Sequence, residues 1–193
     1  MARSDDNRLD LKQLAQAPQV RLLGSVSDEM LNAFQDQLAS VAQGDGPVAI
    51  EVTSTGGDAD IGRRLALEVG LARDRLGRRL VFVGKTIVYS AAATFMGGFR
   101  REDRYLTRDA VLLIHCRQLE KKLDLAGPLK ASRNRVAQVL GEIENGLLLQ
   151  EEGYAALIEG SDVSMDEINA KAEDGWYVQA EEAFARGLVA GLI

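Results

Sequence analysis

Apolar positions along this chain follow two alternating rhythms. Short, nearly continuous apolar runs occur at residues 20–24, 48–52, 80–83 and 110–115, and their length and β-branched content are those of strands. Between them lie longer segments in which apolar residues return every three or four positions, as on one face of a helix. The first strand closes on Gly24, and Ser27 or Asp28 caps a helix running to about Val41. A turn at Gly44, Gly46 and Pro47 leads into the second strand, which breaks at Ser54-Thr55-Gly56-Gly57 before a helix over residues 61–76. The third strand precedes a small-residue helix over 90–96, then short strands at 105–106 and 110–115. Over residues 125–157 a long helix carries Val136, Val139, Leu140, Ile143, Leu147 and Leu148 on one stripe, and a last helix at 180–186 stops at Gly187.

Strands alternating with helices in this order predict an α/β fold with a largely parallel sheet. With no internal repeat and no linker long enough to separate two cores, residues 20–193 form a single domain behind a partly disordered N-terminal segment, 1–19. A chain of 193 residues that is 46% hydrophobic fits one sizeable core. Its 23 basic and 29 acidic residues give a net charge of −6, and no Lys/Arg stripe interleaves with aromatics, so nucleic acid is not an expected partner. Cys116 is the one cysteine and His115 the one histidine, a set that offers neither an intrachain disulfide nor metal-ligand spacing, and no cofactor is expected. The polar, mixed-charge start of the chain lacks a secretory pattern and no 18-residue apolar run occurs, which predicts a cytoplasmic protein without a membrane partner.

Candidate chemistry starts from His115, at the end of an apolar strand where a loop can present it to a cleft, although a lone histidine there also serves as an ordinary structural residue. Gly56-Gly57 after a strand can turn backbone N–H groups into a cavity, as an oxyanion requires, or can be a plain strand-to-helix turn. Ser90 stands at the start of a predicted helix, whose first N–H, on Ala91, would be free; the plain alternative is a capping serine.

Together these residues resemble the Clp protease proteolytic subunit family, within the wider fold shared with the crotonases, over most of the chain from Val20 to Leu192. Ser54-Thr55-Gly56-Gly57 looks like the family's Ser-Pro-Gly-Gly oxyanion turn, Ser90-Ala91-Ala92 like its nucleophile segment, and Ile114-His115 like its histidine strand. The interval from Ser90 to His115, 115 − 90 = 25 positions, equals the family's spacing. The opening at residues 20–28 and the closing Trp176 to Ala183, followed by Gly187-Leu188-Val189, are similar to the family's first and last elements. The resemblance implies a ClpP/crotonase-like fold of repeated β-β-α units with a long handle helix. It implies serine peptidase activity, with Ser90 as nucleophile, His115 as general base, and Gly57 and Ala91 N–H groups as the oxyanion hole. It further implies a ring-shaped homo-oligomer, an ATPase unfoldase of the Clp type as partner, and polypeptide substrates.

The sequence departs from the family at several points. Its aspartate falls on Gly175, so Asp174 is the expected third member, with Glu173 beside it and Asp162 and Asp166 more distant. Thr55 replaces proline, Tyr89 a small residue, and Cys116-Arg117 the usual Gln-Pro, while the stretch from Gly84 to Ser90 is two residues longer. A carboxylate is expected on the far nitrogen of His115; a backbone carbonyl there would favour a catalytically impaired scaffold or assembly subunit. An acyl-CoA enzyme of crotonase type, which also holds an oxyanion with paired N–H groups, is the remaining alternative.

Overall fold

The structure is a computed structural model and describes residues 11–193. Five parallel strands run in the order β1 (Val20–Leu23), β2 (Val48–Ser54), β3 (Leu80–Tyr89), β4 (Arg104–Leu106) and β7 (Gly191–Leu192). The starts of β2 and β3, Val48-Ala49-Ile50 and Leu80-Val81-Phe82-Val83, are continuously apolar because both faces of the sheet are covered there. On one face α2 (Asp28–Ser40), α3 (Ala59–Leu76) and α4 (Ala91–Gly97) bury Phe34, Leu38, Leu65, Val69, Phe95 and Met96 against Ile50, Val52 and Phe82. On the other face Leu14 of α1 (Leu11–Gln16) packs on Ala49, Val81, Val83 and Tyr105. This helix lies inside the segment 1–19 expected to be partly disordered; the part of that expectation that falls on residues 1–10 lies outside the described residues.

The main departure from the predicted elements is β3, which extends to Tyr89 rather than ending near Val83. Val52 pairs with Gly84 and Ser54 with Val88, so two steps along β2 match four along β3. The two extra residues form a bulge in which Thr86 takes φ +58°, and Thr53 Oγ1 fastens it by donating to the Lys85 carbonyl at 3.0 Å. The bulge changes the strand's neighbour. Before it, Phe82, Val83 and Gly84 pair with β4; after it, Ile87, Val88 and Tyr89 pair with β5 (Val111–Ile114). β6 (Trp176–Gln179) adds antiparallel to β5. The end of β3 and the end of β5 are thereby brought side by side.

α5 (Leu129–Ile158) is 30 residues long, about 45 Å at the usual helical rise. Among its residues only Tyr154 and Leu157 are buried, while Val136, Leu140, Ile143, Leu147 and Leu148 are exposed. Its C-terminal end is held by Arg104, which is 1% exposed. Its guanidinium donates to the Ala156 and Leu157 carbonyls at 2.9 and 2.7 Å, and to those of Gly97 and Phe99 near the end of α4. These carbonyls are the acceptors that helix ends leave without intrahelical partners, and the negative ends of two helix dipoles stand in for a carboxylate. Burial pushes the guanidinium down to about 10. α6 (Met165–Glu173) and α7 (Ala180–Ala185) complete the fold around β6.

Candidate active site

A cleft of about 360 Å³ opens between the start of α3, α4, the exit of β5 and α5, and Ser90, Ala91, Gly57 and His115 all line it. Ser90 occupies the turn between β3 and α4 with φ +56° and ψ −117°, a conformation that L-residues rarely adopt. Its side chain makes no capping bond to α4, so the plain N-cap role does not account for it. Its N–H donates to the Leu113 carbonyl on β5 at 2.7 Å, and its carbonyl accepts from Ala93 and Thr94. The hydroxyl is therefore left at the cleft by a backbone fixed on both sides.

The glycine pair sits directly against this turn. A Cβ on Gly56 (φ +92°) would lie 2.7 Å from Ser90 Cβ and 2.9 Å from the Tyr89 carbonyl; one on Gly57 (φ +151°) would lie 2.3 Å from the Val26 carbonyl. Only glycine fits either position. Ser54, buried at the end of β2, accepts from the Gly56 N–H at 3.1 Å, and the Gly56 carbonyl accepts from Val26 N–H at 2.8 Å and Ser25 Oγ at 3.2 Å. These bonds fix the turn and leave the Gly57 N–H, like the Ala91 N–H at the first position of α4, without a partner among the described residues. Ser25 was not among the sequence candidates, and Ser54 entered only as the first residue of the glycine turn, with no role of its own. The signal for Ser54 is its place two residues before a glycine, the spacing of a serine turn.

His115 leaves β5 half-buried, and its Nδ1 lies 2.7 Å from the carbonyl of Cys116. Because a carbonyl only accepts, Nδ1 carries a proton there, and in the neutral ring this leaves the lone pair on Nε2, the form a general base needs. No hydrogen bond joins Ser90 Oγ to the ring. The Cys116 N–H donates to Ala172 of α6 at 3.1 Å and so secures the loop behind the ring.

The expected carboxylate partner is absent from the ring. Asp174 is exposed, does not line the cleft, and serves as the C-cap of α6. Gly175 takes φ +83° in the turn that follows, a conformation that calls for glycine. Asp162 is engaged by Arg186 at 2.6 Å, and Asp166 lies in the first turn of α6. Tyr89 packs edge-on against Tyr177 at 5.8 Å.

The wall of the cleft opposite Ser90 comes from α5. Tyr154 is buried there, and burial raises its phenol above the ordinary value. Cys116 is half-buried beside it.

The parallel sheet, the long projecting helix and the glycine turn facing a strained serine define a ClpP-like α/β fold. A point mutant of ClpP1 from Listeria monocytogenes matches with a TM-score of 0.73 at 18% identity, over 94% of this chain and 94% of that one. No protein-family model matches the sequence, and no curated protein matches it. Among the described residues no helix is long and apolar enough to cross a membrane.

Proposed function

We propose that this chain is a serine hydrolase on a ClpP-like scaffold, cleaving polypeptides through Ser90 and His115. The observation that carries the reading is the convergence on one cleft of a positive-φ serine, an imidazole held in the base tautomer, and two unpartnered main-chain N–H groups. Ser90 Oγ attacks the substrate carbonyl as its proton passes to His115 Nε2. The resulting oxyanion accepts hydrogen bonds from the Gly57 and Ala91 N–H groups, a contribution of about 3–4 kcal/mol per donor in comparable sites. Collapse of the intermediate expels the amine, which takes the proton from His115, and water then hydrolyses the acyl-enzyme by the reverse sequence. The hydrogen bond between Ser90 Oγ and His115 Nε2 forms with substrate in place, as catalytic contacts often do.

The exposed stripe on α5 supports self-association, since an apolar face of that length is rarely left in water. A ring-shaped assembly and an ATP-driven unfoldase as partner rest on the family resemblance alone.

A second reading, an impaired scaffold subunit, is favoured by one observation: a carbonyl rather than a carboxylate meets His115 Nδ1. A carbonyl fixes the tautomer but stabilises the imidazolium less than a negative charge does. Hydrolysis of a quenched fluorescent casein or peptide library by wild type and by Ser90→Ala separates the two readings. Cleavage that depends on Ser90 supports the hydrolase; none in a folded, assembled protein supports the scaffold.

A further inference from the structure

Where the family resemblance expects Gln-Pro after the histidine, Arg117 follows Cys116 and its side chain spans the cleft. Its N–H donates to Gln150 Oε1 of α5 at 2.6 Å, its side chain passes Gly146, and its Nη2 reaches Asp60 Oδ1 of α3 at 2.7 Å. A Cβ on Gly146 would lie 3.9 Å from Arg117 Cδ and 4.0 Å from Nε, so the glycine leaves the arginine its path along the helix. The side chain is only 24% exposed, and among the described residues Asp60 is the one side chain paired with it, through a single nitrogen. Nε and Nη1 have no partner among the described residues. A guanidinium presents five donors in a planar fork, so this one retains capacity for a further carboxylate. Arg63 lines the same cleft, paired with Glu152 at 3.0 Å. Asp58 faces the cleft too, but its carboxylate already accepts from the Asp60 and Ile61 N–H groups.

We propose that Arg117 forms a carboxylate subsite beside Ser90, which makes the cleft selective for acidic peptides. This rests on reading the cleft as the substrate site, and it concerns what is bound there rather than whether bonds are broken. Asp60 is two-thirds exposed, and so open a pair is weak enough for a ligand carboxylate to share or displace it. The carboxylate can come from a Glu or Asp side chain or from a peptide C-terminus.

Fluorescein-labelled peptides that differ only in an internal Glu or Gln, each with an amidated end, and a Gln peptide with a free C-terminus distinguish these sources. Their binding to Ser90→Ala protein is measured by anisotropy. At least one carboxylate-bearing peptide is expected to bind about tenfold more tightly than the amidated Gln peptide. That preference is expected to disappear in Arg117→Gln and to grow in Asp60→Asn, where the competing anion is gone. Equal binding of all three peptides, or a preference that survives Arg117→Gln, overturns the subsite. Because Ser90→Ala protein is used throughout, failure of the hydrolase reading shows separately, as absence of Ser90-dependent cleavage.

Discussion

The main-chain N–H of Ser90 donates to the carbonyl of Leu113 at 2.7 Å, two residues before His115. Ser90 and His115 are thus positioned by strand register, Tyr89 opposite Leu113, rather than by the loops that follow each strand. The bulge at Lys85 and Thr86 makes that register possible by handing β3 from β4 to β5.

The same close packing predicts that Gly56→Ala is severe. A methyl group 2.7 Å from Ser90 Cβ must displace the serine turn, and misplacement on the scale of 1 Å costs about a hundredfold in rate. Acylation of Ser90 by an active-site probe is expected to slow by that order while the far-ultraviolet circular dichroism stays native. Unchanged acylation would show that the turn adapts.

Ser90 holds a backbone conformation that costs of the order of 1–3 kcal/mol for a residue with a Cβ. Ser90→Gly is therefore expected to be inactive yet more stable than wild type, by about 1 kcal/mol in urea unfolding. A destabilised glycine variant would contradict stored strain at this position.

How much of this was legible in the sequence depends on which atoms do the work. The apolar runs at 20–24 and 48–52 and the helix at 28–41 were readable because their periodicity is set by burial, and Ser27 caps α2 through its side chain as expected. β3 was read too short because Lys85 and Thr86 interrupt its apolar run, and a bulge looks like a strand end when only polarity is visible. α1 and α6 escaped notice because each presents only one or two residues to the core, Leu14 on the former and Ile168 and Ala172 on the latter. The partner of His115 was unreadable for a different reason. It is the main-chain oxygen of Cys116, an atom that every residue type supplies.

Arg104 is buried with no carboxylate in hydrogen-bond contact among the described residues, and it satisfies carbonyls at the ends of both α4 and α5. Arg104→Met leaves those acceptors unsatisfied, and a loss of about 3 kcal/mol or more is expected, since each buried acceptor left without a donor costs about 1–3 kcal/mol. Arg104→Lys, with a single ammonium and no fork, recovers only part of it. Equilibrium denaturation of the two variants checks this; full stability in Arg104→Lys would show that the forked geometry is dispensable.

Glu167 joins α6 to the segment after α7 through Arg186, at 2.9 and 2.7 Å, and also meets Lys171 at 2.9 Å. Hydrogen bonds from Arg186 first, and then from Lys171, hold its carboxyl down at about 2, below the ordinary 4.5. A carboxyl lowered on folding contributes stability above its unfolded value and loses it as pH falls through the folded one. Thermal melts should show Glu167→Gln less stable than wild type near neutrality, with the gap narrowing below pH 4.5 and closed by about pH 2. A gap that does not change with pH would assign the effect to packing.

The central claim, that His115 activates the Ser90 hydroxyl, is tested most directly by the rate at which a fluorophosphonate labels the folded protein, with the modified residue mapped by mass spectrometry. The label is expected on Ser90 alone, absent in Ser90→Ala, and slowed at least about a hundredfold in His115→Gln, the range general-base assistance supplies. No label on folded wild type, or equal labelling rates in wild type and His115→Gln, would contradict the account.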